Sequence, residues 1–255
     1  MKLRRIFKGI YAIWYREVKV FLREKSRLVS AIFMPLFWYF IFGAGIGSIA
    51  SQTAVPGENY QHFIFPGFLA MVIIFNAMFN GAYVVWDRKV DFLKEVLVAP
   101  LSRTTIFMGK VLGGMTDALA QALILLFIGI VLGVPFTFFS VILSIFTLFI
   151  FAIGLVSLGL IIGAFMESPE GFGLVSSFAV YPLFLLAGAF YPLSNLPGWM
   201  QVMTHFDPAT YAVDALRNVI LGASSLPYLT NVAIILGFDV VLVIIGTWAF
   251  NRMKL

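Results

Sequence analysis

From Ala118 to Phe165 the sequence carries no Lys, Arg, Asp or Glu. Such a stretch is too long and too apolar for the core of a water-soluble domain. A bilayer crossing takes about 20 mostly apolar residues. The stretch therefore divides into two crossings, with a turn at Gly133 and Pro135. Along the whole chain there are six such runs: 28–50, 63–86, 118–134 (its helix beginning within 104–115), 138–165, 172–190 and 232–250. Lipid offers the backbone no hydrogen bonds, so each crossing is a helix. Composition agrees: 61% of the 255 residues are hydrophobic and 11% charged, against about 25% charged in soluble domains. Mean hydropathy is +1.00. The expected fold class is all-α, a polytopic membrane protein with six transmembrane helices. It forms one domain over 1–255, with an amphipathic interface helix over 1–27, a six-span bundle over 28–250 and a tail over 251–255.

The charges that remain set the orientation. With the N-terminus inside and the spans alternating, sixteen of the seventeen Lys and Arg fall on the cytoplasmic side and only Arg217 falls outside. Basic residues near span ends stay cytoplasmic, so both termini are expected there. Nine of the basic residues precede residue 28. They interleave helically with Leu3, Phe7, Ile10, Trp14, Val18 and Phe21. That pattern predicts a helix lying in the interface against anionic lipid. The same interleaving argues against nucleic acid as the partner of this basic cluster.

A charged island, residues 88–103, separates the second and third runs. Its apolar residues Val90, Leu93, Val96 and Leu97 recur at helical spacing, while Arg88, Asp91, Lys94 and Glu95 gather on another face. Pro100 disfavours helix at Ala99, and Ser102 is placed to cap the next helix. The expected result is a short amphipathic cytoplasmic helix. On the other side, 191–229 is too apolar for an aqueous loop. Ser194 or Asn195 with Pro197 starts one short helix, running to about His205. Asp207 and Pro208 start a second, which Gly222 ends. Two re-entrant helices are expected, since such segments survive when buried in protein or lining a cavity.

No chemistry-bearing motif appears. There is no Cys, and no phosphate loop, H-E-x-x-H or G-x-S-x-G. His62 and His205 stand without a carboxylate cluster. No catalytic, cofactor-binding or metal-binding residue is expected, and no cleavable leader. The polar residues inside the apolar runs are the candidates for a path or for contacts between helices. Asn76 and Asn80 lie four apart on one face; Asp117 lies seven residues after Lys110; Asp239 lies within the last run, with Arg217 a possible partner.

Two long stretches resemble a known family. Phe92-Leu93-Lys94-Glu95-Val96-Leu97-Val98-Ala99-Pro100-Leu101-Ser102-Arg103, followed by Gly109-Lys110, is similar to the membrane subunit of ABC-2 type exporters. So is Gly188-Ala189-Phe190-Tyr191-Pro192-Leu193-Ser194-Asn195-Leu196-Pro197-Gly198-Trp199 with Asp207-Pro208-Ala209-Thr210-Tyr211 after it. The branch it most resembles is the daunorubicin-resistance and nodulation-factor export type. The resemblance implies a permease of a cell (inner) membrane that pairs with a second permease subunit and two ABC ATPase subunits. The permease is not itself an enzyme; ATP and Mg would sit on the partner. Asp91, Phe92, Leu93, Lys94, Glu95, Val96 and Leu97 would form the helix that couples to the ATPase, with the N-terminal helix as a second contact. Tyr191, Pro192, Trp199, Asp207, Pro208 and Tyr211 would belong to the external gate. The substrate would be an amphiphile: a drug, a lipid or a lipid-linked glycan. An ATP-independent channel or carrier is the alternative, kept open by Pro35, Pro66 and Pro182 within spans. A membrane-embedded enzyme would need clustered Asp, Glu or His, which the sequence lacks.

Overall fold

The computed structural model describes residues 2–46, 59–90 and 101–253. These residues contain nine α-helices and no strand. In chain order they are α1 Lys2–Arg23, α2 Lys25–Ile41, α3 Tyr60–Lys89, α4 Arg103–Val131, α5 Phe138–Phe165, α6 Pro169–Leu186, α7 Gly198–Thr204, α8 Pro208–Leu221 and α9 Tyr228–Arg252. A π-helical turn, Phe42–Ile46, extends α2, and a 3₁₀ turn, Leu193–Asn195, precedes α7.

Five helices, α3, α4, α5, α6 and α9, are long and apolar enough to cross a membrane. The described part of the first apolar run lies in α2 and the π-helical turn after it, whose apolar stretch, Ile32–Gly43, is shorter. The bounds follow local capping. Ser102 Oγ accepts from Thr105 N–H at 3.1 Å and opens α4. Thr137 Oγ1 accepts from Ser140 N–H at 3.2 Å and opens α5 at the expected residue. Gly222, with φ of 73°, closes α8.

Several boundaries differ from expectation: α3 extends beyond 63–86 at both ends, α4 stops at Val131 rather than 134, α6 runs 169–186 rather than 172–190, and two further differences have a local cause. The N-terminal amphipathic helix stops at Arg23, because Glu24 leaves helical geometry (φ −90°, ψ 66°) and its side chain turns to accept from Tyr83 Oη. The last span starts at Tyr228 rather than 232, taking in the polar Asn231 because its Nδ2 donates to Asp214 Oδ2 at 2.8 Å.

α3 is the central helix: 78% of its most apolar stretch is buried in protein, against 22% for α6 and 28% for α9. Its contact with α5 is backbone on backbone. A Cβ built on Gly81 would lie 2.0 Å from the Gly159 carbonyl oxygen, and one on Gly163 2.3 Å from the Gly81 carbonyl oxygen. Gly159 and Gly163 thus work as a small-residue pair. Gly129 and Gly133, at the same spacing, do not: Gly129 seats the Phe65 ring, while Gly133 (φ +83°) makes the turn into α5 and meets nothing.

Gly81→Ala should destabilise the bundle by about 1–3 kcal/mol, as overpacking does in close-packed interiors. Gly173→Ala, where a Cβ meets nothing within 4 Å, should leave stability unchanged or slightly raised. Thermal unfolding of the detergent-solubilised protein, followed by fluorescence-detected size exclusion, measures both.

Candidate functional site

The island-side ends of α1, α3 and α4 meet around Lys110. Its side chain is 5% exposed, about 10 Å along α4 from Arg103 at 1.5 Å per residue. Nζ pairs with Asp87 Oδ2 at 2.7 Å and Glu17 Oε1 at 3.1 Å. Arg16 pairs with the same two carboxylates, Glu17 Oε1 at 2.8 Å and Asp87 Oδ1 at 2.9 Å. Among the described residues, two cations and two carboxylates meet here, with Lys110, Glu17 and Asp87 buried and Arg16 partly exposed; opposite charges are the partners that low-dielectric surroundings require. Glycines bring α1 close enough. A Cβ on Gly109 would lie 2.7 Å from Ile13 Cβ, and one on Gly113 2.4 Å from Glu17 Cβ. Trp14 Nε1 adds a hydrogen bond to Thr116 Oγ1 at 3.0 Å.

The borders of the island are tied to two further helices. Arg88 donates to the carbonyls of Ala164 at 2.9 Å and Met166 at 3.0 Å, at the end of α5. Arg103 donates to those of Asn251 at 2.8 Å and Met253 at 2.9 Å, at the end of α9. Both arginines satisfy carbonyls that a helix C-terminus leaves open. The coupling residues Asp91, Phe92, Leu93, Lys94, Glu95, Val96 and Leu97 lie outside the described residues.

A cavity of about 960 Å³ opens between α2, α3 and α6. Aromatic side chains dominate its wall, among them Trp38, Phe75, Phe79, Tyr181 and Phe184. It runs along α3 from Met71 to Trp86, about 22 Å of helix.

The segment 191–229 is built around two buried carboxylates. Asp207 caps α8, accepting from Ala209 N–H at 2.8 Å. Burial outweighs this hydrogen bond and the one from Thr210, and pushes its carboxyl up to about 7. Asp214 accepts from the N–H groups of Ser225 and Leu226, at 2.8 and 3.0 Å, and from Asn231. α8 is buried almost throughout, Pro208 and Tyr211 included, and Tyr211 Oη donates to the His205 carbonyl at 2.9 Å. α7 instead leaves Trp199 and Met203 exposed. Tyr191 and Pro192 stand in the turn before it, and Tyr191 Oη donates to the Leu185 carbonyl.

The polar residues inside the spans separate. Asn76 borders the cavity and donates to the Val72 carbonyl, whereas Asn80 packs against Gly114 of α4. Asp117 is buried within α4, and Lys110 turns away from it to Asp87 and Glu17. Asp239 and Arg217 take different partners. The Asp239 carboxylate lies against Gly154 of α5; Arg217 stacks on Phe63 at 4.0 Å and donates to the Gly188 carbonyl at 2.9 Å. Sequence reasoning missed Glu17, Glu24, Asp87 and Asp214. For Glu17 a signal existed: Gly9, Ile13, Glu17 and Phe21 recur every four residues and are all buried.

Residues 8–221 match the ABC-2 type transporter family. Inner membrane transport permease YadH of Escherichia coli (strain K12) is 31% identical over 234 residues, 91% of this chain and 90% of that protein. Putative transport permease ycf38 of Cyanophora paradoxa is 28% identical over 239 residues, 89% and 82% of the two chains. Probable multidrug ABC transporter permease YbhR of Escherichia coli (strain K12) is 30% identical over 178 residues, 69% of this chain and 48% of that protein. With its apolar helices, these matches make the chain a multi-pass membrane permease. It belongs to the ABC-2 type transporter family.

Two outcomes follow from the charges. Lys110→Met leaves Glu17 and Asp87 sharing Arg16 and should cost about 3–5 kcal/mol. Adding Glu17→Gln and Asp87→Asn should recover much of that, as thermal unfolding in detergent would report. At Asp207 the folded value of about 7 exceeds the ordinary 3.8. Its contribution is therefore fully present below about pH 4 and is lost as pH rises to about 7. Tm should fall across that window in the native chain, and less steeply in Asp207→Asn, which keeps a capping oxygen.

Proposed function

We propose that this chain is the permease subunit of an ATP-driven exporter that moves an amphiphile out of the cytoplasm or inner leaflet. It works beside a second permease subunit and two ATPase subunits, which bind ATP and Mg. It lies in the cell inner membrane with both termini cytoplasmic, and α2 counts as the first of six spans. The observation that carries this reading is the anchoring of the island. Arg88, Arg103, Asp87 and Lys110 tie its two borders to α1, α5 and α9. A segment so attached is suited to pass force from an ATPase seated on it. The name of one relative, a probable multidrug ABC transporter permease, agrees.

In this mechanism ATP binding closes the ATPase pair and moves residues 91–97 as a lever, with α1 as the second contact. α2, α3 and α6 line the path through the cavity they enclose. α7 and α8, with Tyr191, Pro192, Trp199, Asp207, Pro208 and Tyr211, form a re-entrant closure on the outer side. A lever shifts an equilibrium only through contacts that differ between two states, and the apolar and charged faces of 91–97 supply such contacts.

Purified from its native host in mild detergent, the tagged chain should bring down a stoichiometric ATPase. That ATPase should be lost when 92–97 becomes a Gly/Ser linker. Lys94→Glu with Glu95→Lys should cut transport by about tenfold, within the usual range of coupling between sites, with membrane insertion unchanged. A stable chain that retains no ATPase would favour an ATP-independent channel or carrier.

A further inference from the structure

The wall of the cavity between α2, α3 and α6 is apolar apart from a few groups, and those groups are not equivalent. Asn76 turns its amide nitrogen back to the Val72 carbonyl at 2.8 Å. Tyr83 directs its hydroxyl to Glu24 Oε2. Glu24 is the one charged residue on the wall among the described residues. It stands where the chain breaks between α1 and α2, at the end of the cavity shared with Trp86. Among the described residues, the ion pairs of the island side use other carboxylates, Glu17 and Asp87. The carboxylate of Glu24 therefore reaches the cavity with one Tyr hydroxyl as its partner and, among the described residues, no ion pair within 4 Å.

A carboxylate at the mouth of an apolar slot is held there at a desolvation cost that a cation relieves and an anion increases. The walls favour the same sign. Trp38, Phe75 and Phe79 line it, and aromatic rings attract cations to their faces; Trp86 at the mouth already carries Lys89, whose Nζ lies 5.3 Å from its ring centre. The volume, about 960 Å³, is at the large end of ligand pockets, which run to roughly 1,000 Å³. We infer that the cavity accepts a hydrophobic cation, with its charged group at Glu24 and its apolar body between the aromatic residues of α2, α3 and α6. This deepens the exporter reading and rests on the cavity being the substrate path: it narrows an amphiphile of unspecified charge to a cationic one.

The test uses the full chain in nanodiscs, with any subunits that co-purify, and two probes of nearly the same shape and opposite charge, tetraphenylphosphonium and tetraphenylborate. Partition into empty nanodiscs is subtracted. Saturable binding of the phosphonium and not the borate is expected. Glu24→Gln should weaken the phosphonium by about tenfold, as loss of one close charge in a low-dielectric site implies. Tyr83→Phe keeps the ring and frees Oε2, so it should not weaken binding. Equal losses in Glu24→Gln and Tyr83→Phe would make Glu24 a structural latch and overturn the assignment. Equal binding of both ions, reduced by Phe79→Ala but not by Glu24→Gln, would overturn the cationic class and leave the amphiphile path standing. Saturable binding of neither ion would overturn both.

Discussion

The island side of this permease depends on one buried ammonium. Lys110 sits inside the bundle, and a charge there persists only with partners of opposite sign. It takes Asp87 from α3 and Glu17 from α1, so three helices must meet at one point. Apolar burial alone would not specify that meeting. Against lipid tails, an apolar helix face gains little by exchanging lipid for another helix. The cluster fixes where α1 lies along α4, and the glycine bed at Gly109 and Gly113 fixes how close it lies. Removing either would loosen the other, since the 2.7 and 3.1 Å contacts of Lys110 need the short approach.

The same logic explains what the sequence revealed and what it concealed. Helix ends were legible because caps are local: Ser102, Asp207 with Pro208, and Gly222 act within one turn of themselves. The α5 bounds were legible because a run of apolar residues flanked by turn residues has one reading. The partner of Lys110 was not legible. The nearest carboxylate on its own helix face is Asp117, yet its partners lie 23 and 93 residues away in sequence. Hydropathy also misjudges a stripe such as Gly9, Ile13, Glu17 and Phe21, where a glycine and a carboxylate occupy the buried face. The aromatic stripe chosen from hydropathy instead contains Phe7, which is 64% exposed. The Asp214 site was hidden for a related reason. Its donors are two backbone N–H groups in a turn and a side chain at the start of α9, which no pattern of residue types marks.

The two sides of the bundle differ in how they are covered. α3 and α5 are locked by backbone contact at Gly81, Gly159 and Gly163, and they form the interior. α2 and α6 lie outside them and leave the cavity open toward the surface. A packed interior cannot change shape without losing close contacts. Rearrangement during a transport cycle is therefore cheapest at α2 and α6, the helices that border the cavity. Glu24 lies at the start of α2, so the group that a cation would meet sits at the corner where this looser layer joins α1.

α9 joins the two ends of the molecule. Near its last turn Arg103 holds the carbonyls of Asn251 and Met253. In its first turn Asn231 holds Asp214 of α8. Between them lie about 30 Å of uninterrupted helix. A helix fixed at both ends transmits displacement along its axis because its own hydrogen bonds resist stretching. The border of the island and α8 are thus connected through one element, with the charge-assisted Arg103 contacts at one end and the buried Asp214 contacts at the other. Such continuity becomes coupling only where the element has two arrangements that both sites bias. α9 meets that geometric requirement better than α5, which has its own arginine at Ala164 and Met166. α5 is packed backbone on backbone against α3 at Gly159 and Gly163, whereas α9 buries 28% of its most apolar stretch.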